Sequence, residues 1–391
     1  MFDVNEVDNC SSSNRVPVKY TKYSHNHIEN KLYCLNDHDS KLIKDICIKN
    51  IPFWNNLDYK GIKIEIAPNS VSNLVFFVNL ICENNEIYPN RTVILKKRTS
   101  YSNVIYDREL QLNVAELLGE NNLGPRVICR CSDYTIQEFV EGTTLKNSSF
   151  QNLSVITSLA STLAKFHRKG TEISLPEWDR TPFVLRHINK WTEPVERIIK
   201  KHNLDFDFNE LQSSFELYKT LLNNHIKTSN SVANSVLFCH NDLYSENIIN
   251  FQQGIFLIDF DFSGFNYVGW DISTFFCKMG FLYDVTTFPY FVYDKTLEPS
   301  DEFKSIFVSI YLSELLNKNV LPSENVVKEF LDSLDVHRLG VQLYWTYWGI
   351  IMSDRPSNEL AIKSNFSSQS KVHLEVFNAY YNKIQRKQTK L

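Results

Sequence analysis

What this 391-residue chain lacks removes several classes of function before any motif is read. Its eight cysteines (Cys10, Cys34, Cys47, Cys82, Cys129, Cys131, Cys239 and Cys277) form no CxxC pair and have no histidine at zinc-finger spacing. Neither a structural zinc site nor a disulfide framework is expected, and buried or free thiols are the better reading. Lys and Arg number 41 against 45 Asp and Glu, a formal net charge of −4, and they are scattered rather than blocked. Without a basic field, nucleic acid is not an expected partner. No apolar run reaches the roughly 20 residues of a spanning helix, so no membrane insertion is expected. The opening MFDVNEVDNCSSSNRVP puts acids where a secretory leader needs positive charge and has no apolar core, which points to a cytoplasmic protein.

What is present suits a folded enzyme. Hydrophobic residues make up 43% of the chain, with 27 Phe and 19 Tyr as bulky core material. The length is enough for two lobes around a cleft. Residues 1–27 are polar and aperiodic and read as a flexible tail. Within an expected small lobe of 28–137, between Ile62 and Gln137, come the β-rich runs IKIEI, NLVFFVNLI, TVILKK and YTIQEFV, interrupted by one helical stretch at 106–119. That order describes a small, mainly antiparallel sheet with a helix. From Leu153 the spacing turns helical, with Leu159, Leu163 and Phe166 on one face, so 146–391 is expected to be a mainly helical lobe. The Gly- and Thr-bearing stretch 138–145 sits at the change and makes the natural hinge. The fold class is α+β.

The chemistry is concentrated in 239–271, CHNDLYSENIINFQQGIFLIDFDFSGFNYVGWD. Asp242 and Asn247 have the D-x4-N spacing of kinase catalytic loops, and a second acidic centre, Asp259-Phe-Asp261, follows. Between them, IINF and IFLI flank Gln252-Gln253-Gly254 and read as a β-hairpin. Centred on Gln253, the ladder sets Asn247 opposite Asp259, two hard oxygen donors suited to Mg²⁺, while Asp242 is placed to accept a hydroxyl proton. The plainer alternative is that Asp242 caps a turn, Asn247 satisfies a loop carbonyl and Asp259 ends a strand. His240 reads as a loop anchor rather than a chemical participant.

These residues resemble the choline/ethanolamine kinase family, whose members carry HND, a downstream Asn and an IDFEY-type motif running into NYRGFDI. VSNLVFFV is similar to its phosphate loop, TVILKK to its nucleotide lysine or arginine strand, NLGPRVI to its LGPKLYG turn, IQEFVEGTTL to its hinge and LYWTYWGII to its tryptophan helix. The likeness spans about residues 62–381 and implies a protein-kinase-like bilobal fold that uses ATP and Mg²⁺. It implies that Asp242 is the base, Asn247 and Asp259 the magnesium ligands and Asp261 a supporting carboxylate. Nucleotide would be held by Ser72 and Asn73 with Ser70, by Lys96, by the backbone of Glu138, Phe139 and Val140, and by Tyr244. Glu109 is named as the helix partner of Lys96, with Gln111 the competing position. The implied reaction makes phosphocholine, the first step of phosphatidylcholine synthesis, with ethanolamine as alternative acceptor. A homodimer is the assembly the resemblance suggests.

For the acceptor, Trp345 and Trp348 lie three apart on a helical stretch and, with Tyr283, can present rings to a cation. A core aromatic stripe is the competing account. Two departures from the family stand out. The phosphate loop PNSVSNLVFF lacks the usual glycine pair, and Lys278 stands where the family carries an acid beside the substrate ammonium. A cation there repels choline unless it turns outward or pairs with a neighbour. These departures motivate the rival hypothesis of a catalytically silent kinase-like scaffold. Asp271 is expected to hold the catalytic loop rather than act on substrate.

Overall fold

The computed structural model describes residues 35–55, 57–67, 73–81, 90–99, 101–131, 133–283, 285–356 and 364–388. The expected tail and the phosphate-loop residues Ser70 and Ser72 lie outside them.

Alternating apolar residues build the first layer. Strand β2 (Leu74–Leu80) buries Leu74, Phe76, Val78 and Leu80 and turns the residues between them away. It pairs antiparallel with β1 (Ile62–Ile66) and β3 (Thr92–Lys97). With β4 (Val127–Arg130) and β5 (Tyr134–Glu138) these form a five-stranded sheet of order β1-β2-β3-β5-β4. Helix α1 (Asp37–Asn50) buries Ile43, Ile46 and Cys47 in the core that Phe76, Val78 and Leu95 contribute from the sheet. After the single turn α2 (Ser102–Ile105) comes α3 (Arg108–Glu120), which starts where Asp107 accepts the Leu110 N–H as N-cap. It is the helix expected between the strands. Helix α1 and strand β4 were not foreseen.

Beyond the two-residue β6 (Thr143–Thr144), the helical body opens with α4 (Leu153–Ile173), which buries Ile156, Leu159, Leu163 and Phe166 along one face. Helices α5 (Phe183–His202) and α6 (Phe208–Thr228) follow. Strands β7 (Val236–Cys239) and β10 (Gly264–Tyr267) pair with each other, and the hairpin β8 (Ile248–Phe251) and β9 (Gly254–Leu257) pairs with β6. Helix α7 (Val268–Lys278) is buried along its whole length. A small ribbon of β11 (Phe281–Leu282) and β12 (Val292–Tyr293) precedes α8 (Asp301–Leu315). The 28-residue α9 (Asn325–Met352) runs through the middle of the body, against α5, α6, α7, α8 and α10 (Phe366–Gln388). A helix apolar on nearly all sides has to sit inside other helices.

One contact joins sheet and body closely. Gly124, in the turn before β4, lies so near Phe260 that a Cβ there would come within 2.4 Å of its ring. Phe260 stacks on Phe166 of α4 at 5.5 Å.

Candidate active site

Strand β7 delivers His240, Asn241 and Asp242 into the space between sheet and helices. The chain can turn there because Asn241 takes a left-handed conformation, φ 65°. Its side chain fixes the turn by donating to the carbonyls of Phe262 (3.0 Å) and Gly264 (3.1 Å) while accepting from Asn266 (2.9 Å). Beneath the loop lies Asp271 of α7, fully buried, which accepts the backbone N–H groups of His240 (2.9 Å) and Asn241 (2.8 Å). His167 of α4 sits 2.9 Å from the same carboxylate and 2.8 Å from the Tyr311 hydroxyl. Burial works to raise the Asp271 carboxyl, but its hydrogen bond and charge interaction with His167, with His240 adding, hold it below the ordinary value. This residue therefore anchors the loop, as expected. His240 is also an anchor. Its Nε2 donates to the Ile258 carbonyl (2.9 Å) and its Nδ1 accepts the Asp242 N–H (3.3 Å), and burial lowers the pKa of the ring against the raising pull of Asp271.

The Asp242 carboxylate emerges from this scaffold with one buried oxygen, Oδ1, that accepts no hydrogen bond among the described residues. Burial pushes its carboxyl up to about 7; the Lys278 ammonium opposes that, and the carboxylates of Asp259, Asp271 and Asp261 add to it. Asn247 is buried five residues on, its side-chain nitrogen donating to the Asp242 carbonyl at 2.9 Å.

The hairpin forms, but its register corrects the expected one. Phe251 pairs with Gly254 and Ile248 with Leu257, so the turn has two residues, Gln252 and Gln253, and paired numbers sum to 505. Gly254, at φ 129°, belongs to the second strand rather than to a turn centred on Gln253. Asn247 consequently lies opposite Ile258, whose N–H donates to its carbonyl at 3.1 Å. Asp259 stands one step beyond the ladder, and its own left-handed backbone, φ 65°, redirects the carboxylate.

From the sheet, Lys96 of β3 places its Nζ 2.6 Å from Asp259 and 3.6 Å from Asp261. Burial alone would lower the lysine pKa, but these two carboxylates outweigh it and hold the proton on. Burial likewise raises Asp259, yet the charge and hydrogen bond of Lys96, with His240, bring it below the usual carboxylate value. Asp261 goes the other way, pushed up to about 7 by burial and the Asp259 charge against the pull of Lys96. Asn73 donates to Asp261 at 2.7 Å and accepts from the Tyr106 hydroxyl at 3.1 Å, so its amide ties the start of β2 to the acidic segment. Glu138 ends β5 opposite Val93, and the Phe139 ring meets Phe77 edge-on at 6.0 Å. Val140 follows directly.

Glu109 is not the partner of Lys96. Its side chain is 73% exposed and binds Arg130 of β4 at 2.6 Å. Gln111, buried on the same helix, donates to the Ser263 carbonyl at 3.4 Å. The carboxylates of the 259–261 segment supply the negative charge that a helix acid was expected to bring.

On the other side of Asp242 is an aromatic recess. Trp345 of α9 presents its ring face to a cation 3.6 Å from the centroid, with the rings of Tyr283 and Tyr244 at 5.4 and 5.5 Å. The cation is the chain's own Lys278, whose Nζ is 3.9 Å from Asp242 Oδ1 and donates to the Tyr283 hydroxyl at 3.3 Å. Lys278 turns inward and pairs with Asp242, and only 8% of its side chain is exposed. Trp348 meets Trp345 edge-on at 5.2 Å and Phe366 at 5.6 Å. Tyr244, grouped with the nucleotide in the sequence reading, instead stands beside Tyr283, ring centroids 6.3 Å apart.

A five-stranded antiparallel sheet over a helical body, with lysine, paired acids and a D-x4-N loop between them, defines a protein-kinase-like bilobal protein. The choline/ethanolamine kinase family model matches residues 64–378, and the chain belongs to that family. A probable choline kinase of Arabidopsis thaliana is 27% identical over 330 residues, covering 83% of this chain and 87% of the relative. A probable ethanolamine kinase of the same plant is 24% identical over 320 residues, 80% of this chain and 78% of the relative. The crystal structure of a choline kinase from Cryptosporidium parvum superposes with a TM-score of 0.79 at 23% identity, covering 90% of this chain and 97% of its own.

Proposed function

We propose that this chain transfers the γ-phosphate of ATP to the hydroxyl of choline. The observation that carries the reading is the aromatic recess beside Asp242, which holds a cation against the faces of Trp345, Tyr283 and Tyr244. Ring faces suit a trimethylammonium, which has no N–H to donate. Two carbons separate that ammonium from the hydroxyl in choline. A cation in the recess, 3.9 Å from Asp242 as the Lys278 nitrogen is, therefore sets the hydroxyl against the same carboxylate. Asp242 accepts the hydroxyl proton as the phosphate is attacked.

Magnesium fits the donor set on the nucleotide side. Asn247 and Asp259 are hard oxygen donors, and Asp259 is held ionised by Lys96. These two residues would hold the ion, which when bound neutralises charge on the transferring phosphate. Lys96 gives a buried ammonium for the nucleotide phosphates, and Asp261 positions it while gripping Asn73. By the resemblance, Ser72 and Asn73 belong to the phosphate-loop segment and would offer backbone amides, and the backbone of Glu138, Phe139 and Val140 is where the adenine would sit.

One observation favours a second acceptor. The Tyr283 hydroxyl accepts a hydrogen bond from the Lys278 ammonium, a contact open to the primary ammonium of ethanolamine and closed to choline. An ATP-coupled assay with each alcohol tests the choice, and a higher kcat/KM for choline is expected. Preference for ethanolamine would overturn the assignment of acceptor, and turnover of neither would leave the silent scaffold.

The base also sets a pH profile. With the Asp242 carboxyl raised to about 7, its proton-accepting form is lost as pH falls through that value. The kcat/KM for the acceptor, measured between pH 5.5 and 8, is expected to level off above about 7 and to drop about tenfold per unit well below it.

A further inference from the structure

Lys278 is the last residue of α7, and its Nζ occupies the recess assigned above to the acceptor's ammonium. We propose that Lys278 is a built-in competitor for the acceptor cation: it fills the recess in the resting enzyme, and the acceptor binds by displacing it. The inference rests on the reading of that recess as the acceptor site.

Three features of the geometry support it. The ammonium makes the contacts a bound organic cation would make, one ring face at 3.6 Å and two others near 5.5 Å. It also neutralises the carboxylate that the acceptor hydroxyl has to reach, at 3.9 Å. Two cations cannot share this buried volume, since both would lose water and repel each other at contact distance. Finally, the ammonium ends a flexible four-carbon stem, whose rotatable bonds give the freedom such an exchange needs. Acceptor binding is thus an exchange of one cation for another, and its affinity is lowered by what Lys278 loses on leaving.

The test is calorimetric titration of the full chain with choline and, separately, with tetramethylammonium, for wild type, Lys278→Ala and Lys278→Met. Thermal unfolding of each variant establishes that it is folded. Lys278→Ala is expected to bind both cations at least about tenfold more tightly. Lys278→Met removes the charge but keeps a chain of similar length in the recess, so it should gain less than Lys278→Ala; should the alanine variant not fold, any gain by the methionine variant is the supporting result. Unchanged or weaker binding in the folded variants overturns the proposal. The two readings fail separately. Wild-type choline turnover with no gain in the variants sinks only the competitor, whereas absent turnover together with tighter binding in Lys278→Ala keeps the competitor and sinks the proposed activity. In an active enzyme the gain should appear as a lower KM for choline with the KM for ATP unchanged.

Discussion

Asp242→Asn is expected to lower kcat by about 10²- to 10⁴-fold, the range a positioned general base contributes. The substitution is chosen because it isolates the proton. Asparagine has nearly the same shape, and the anchoring bonds of residue 242 are backbone ones: its N–H donates to His240 and its carbonyl accepts from Asn247. The loop should keep its path while the carboxylate is lost. Asp242 Oδ1 accepts no hydrogen bond among the described residues, so the internal contact weakened is the 3.9 Å ion pair with Lys278. Initial rates with saturating ATP and acceptor, beside a thermal melt, give the answer. Activity within about tenfold of wild type would remove Asp242 from the role of base.

Asp271→Ala should cost the most stability. The Asp271 carboxylate receives the N–H groups of His240 and Asn241 and the ring of His167, and all of these groups are buried. Removing the acceptor orphans three donors at about 1–3 kcal/mol each, so a loss of about 3 kcal/mol or more is expected. At about 1 °C per kcal/mol for a 391-residue chain, the melting temperature should fall by about 3 °C or more. Activity should fall too, because the backbone that presents Asp242 is no longer pinned. A variant with wild-type melting and reduced kcat would mean that Asp271 acts in the chemistry rather than beneath it.

Strand β2 and helix α4 were legible because their apolar periods were clean. Helix α1 had a readable signal in Ile43, Ile46 and Cys47, but it lies next to a polar stretch that reads as tail. The hairpin was legible in composition and off by one in register. Which residue opens the second strand depends on the positive φ of Gly254, and a QQG string does not state it. Lys96 was found from its strand, yet its partners were not. Glu109 is drawn off by Arg130 on β4, a strand missing from the sequence reading, and Asp259 reaches Lys96 through a backbone kink beyond the ladder. For Lys278 the residue was visible and its direction was not. Turning inward becomes favourable only once Trp345, Tyr283, Tyr244 and Asp242 have converged from three separate stretches of chain.

The Gly124–Phe260 contact also bears on how the acidic segment is held. Phe260 sits between the two acids Asp259 and Asp261 and is wedged against Phe166 on its other side. A methyl group at 124 would already collide with it, so the sheet rests on the body there with no slack. Because Phe260 lies between Asp259 and Asp261, the same contact seats the turn before β4 on the segment whose two acids face Lys96 and Asn73.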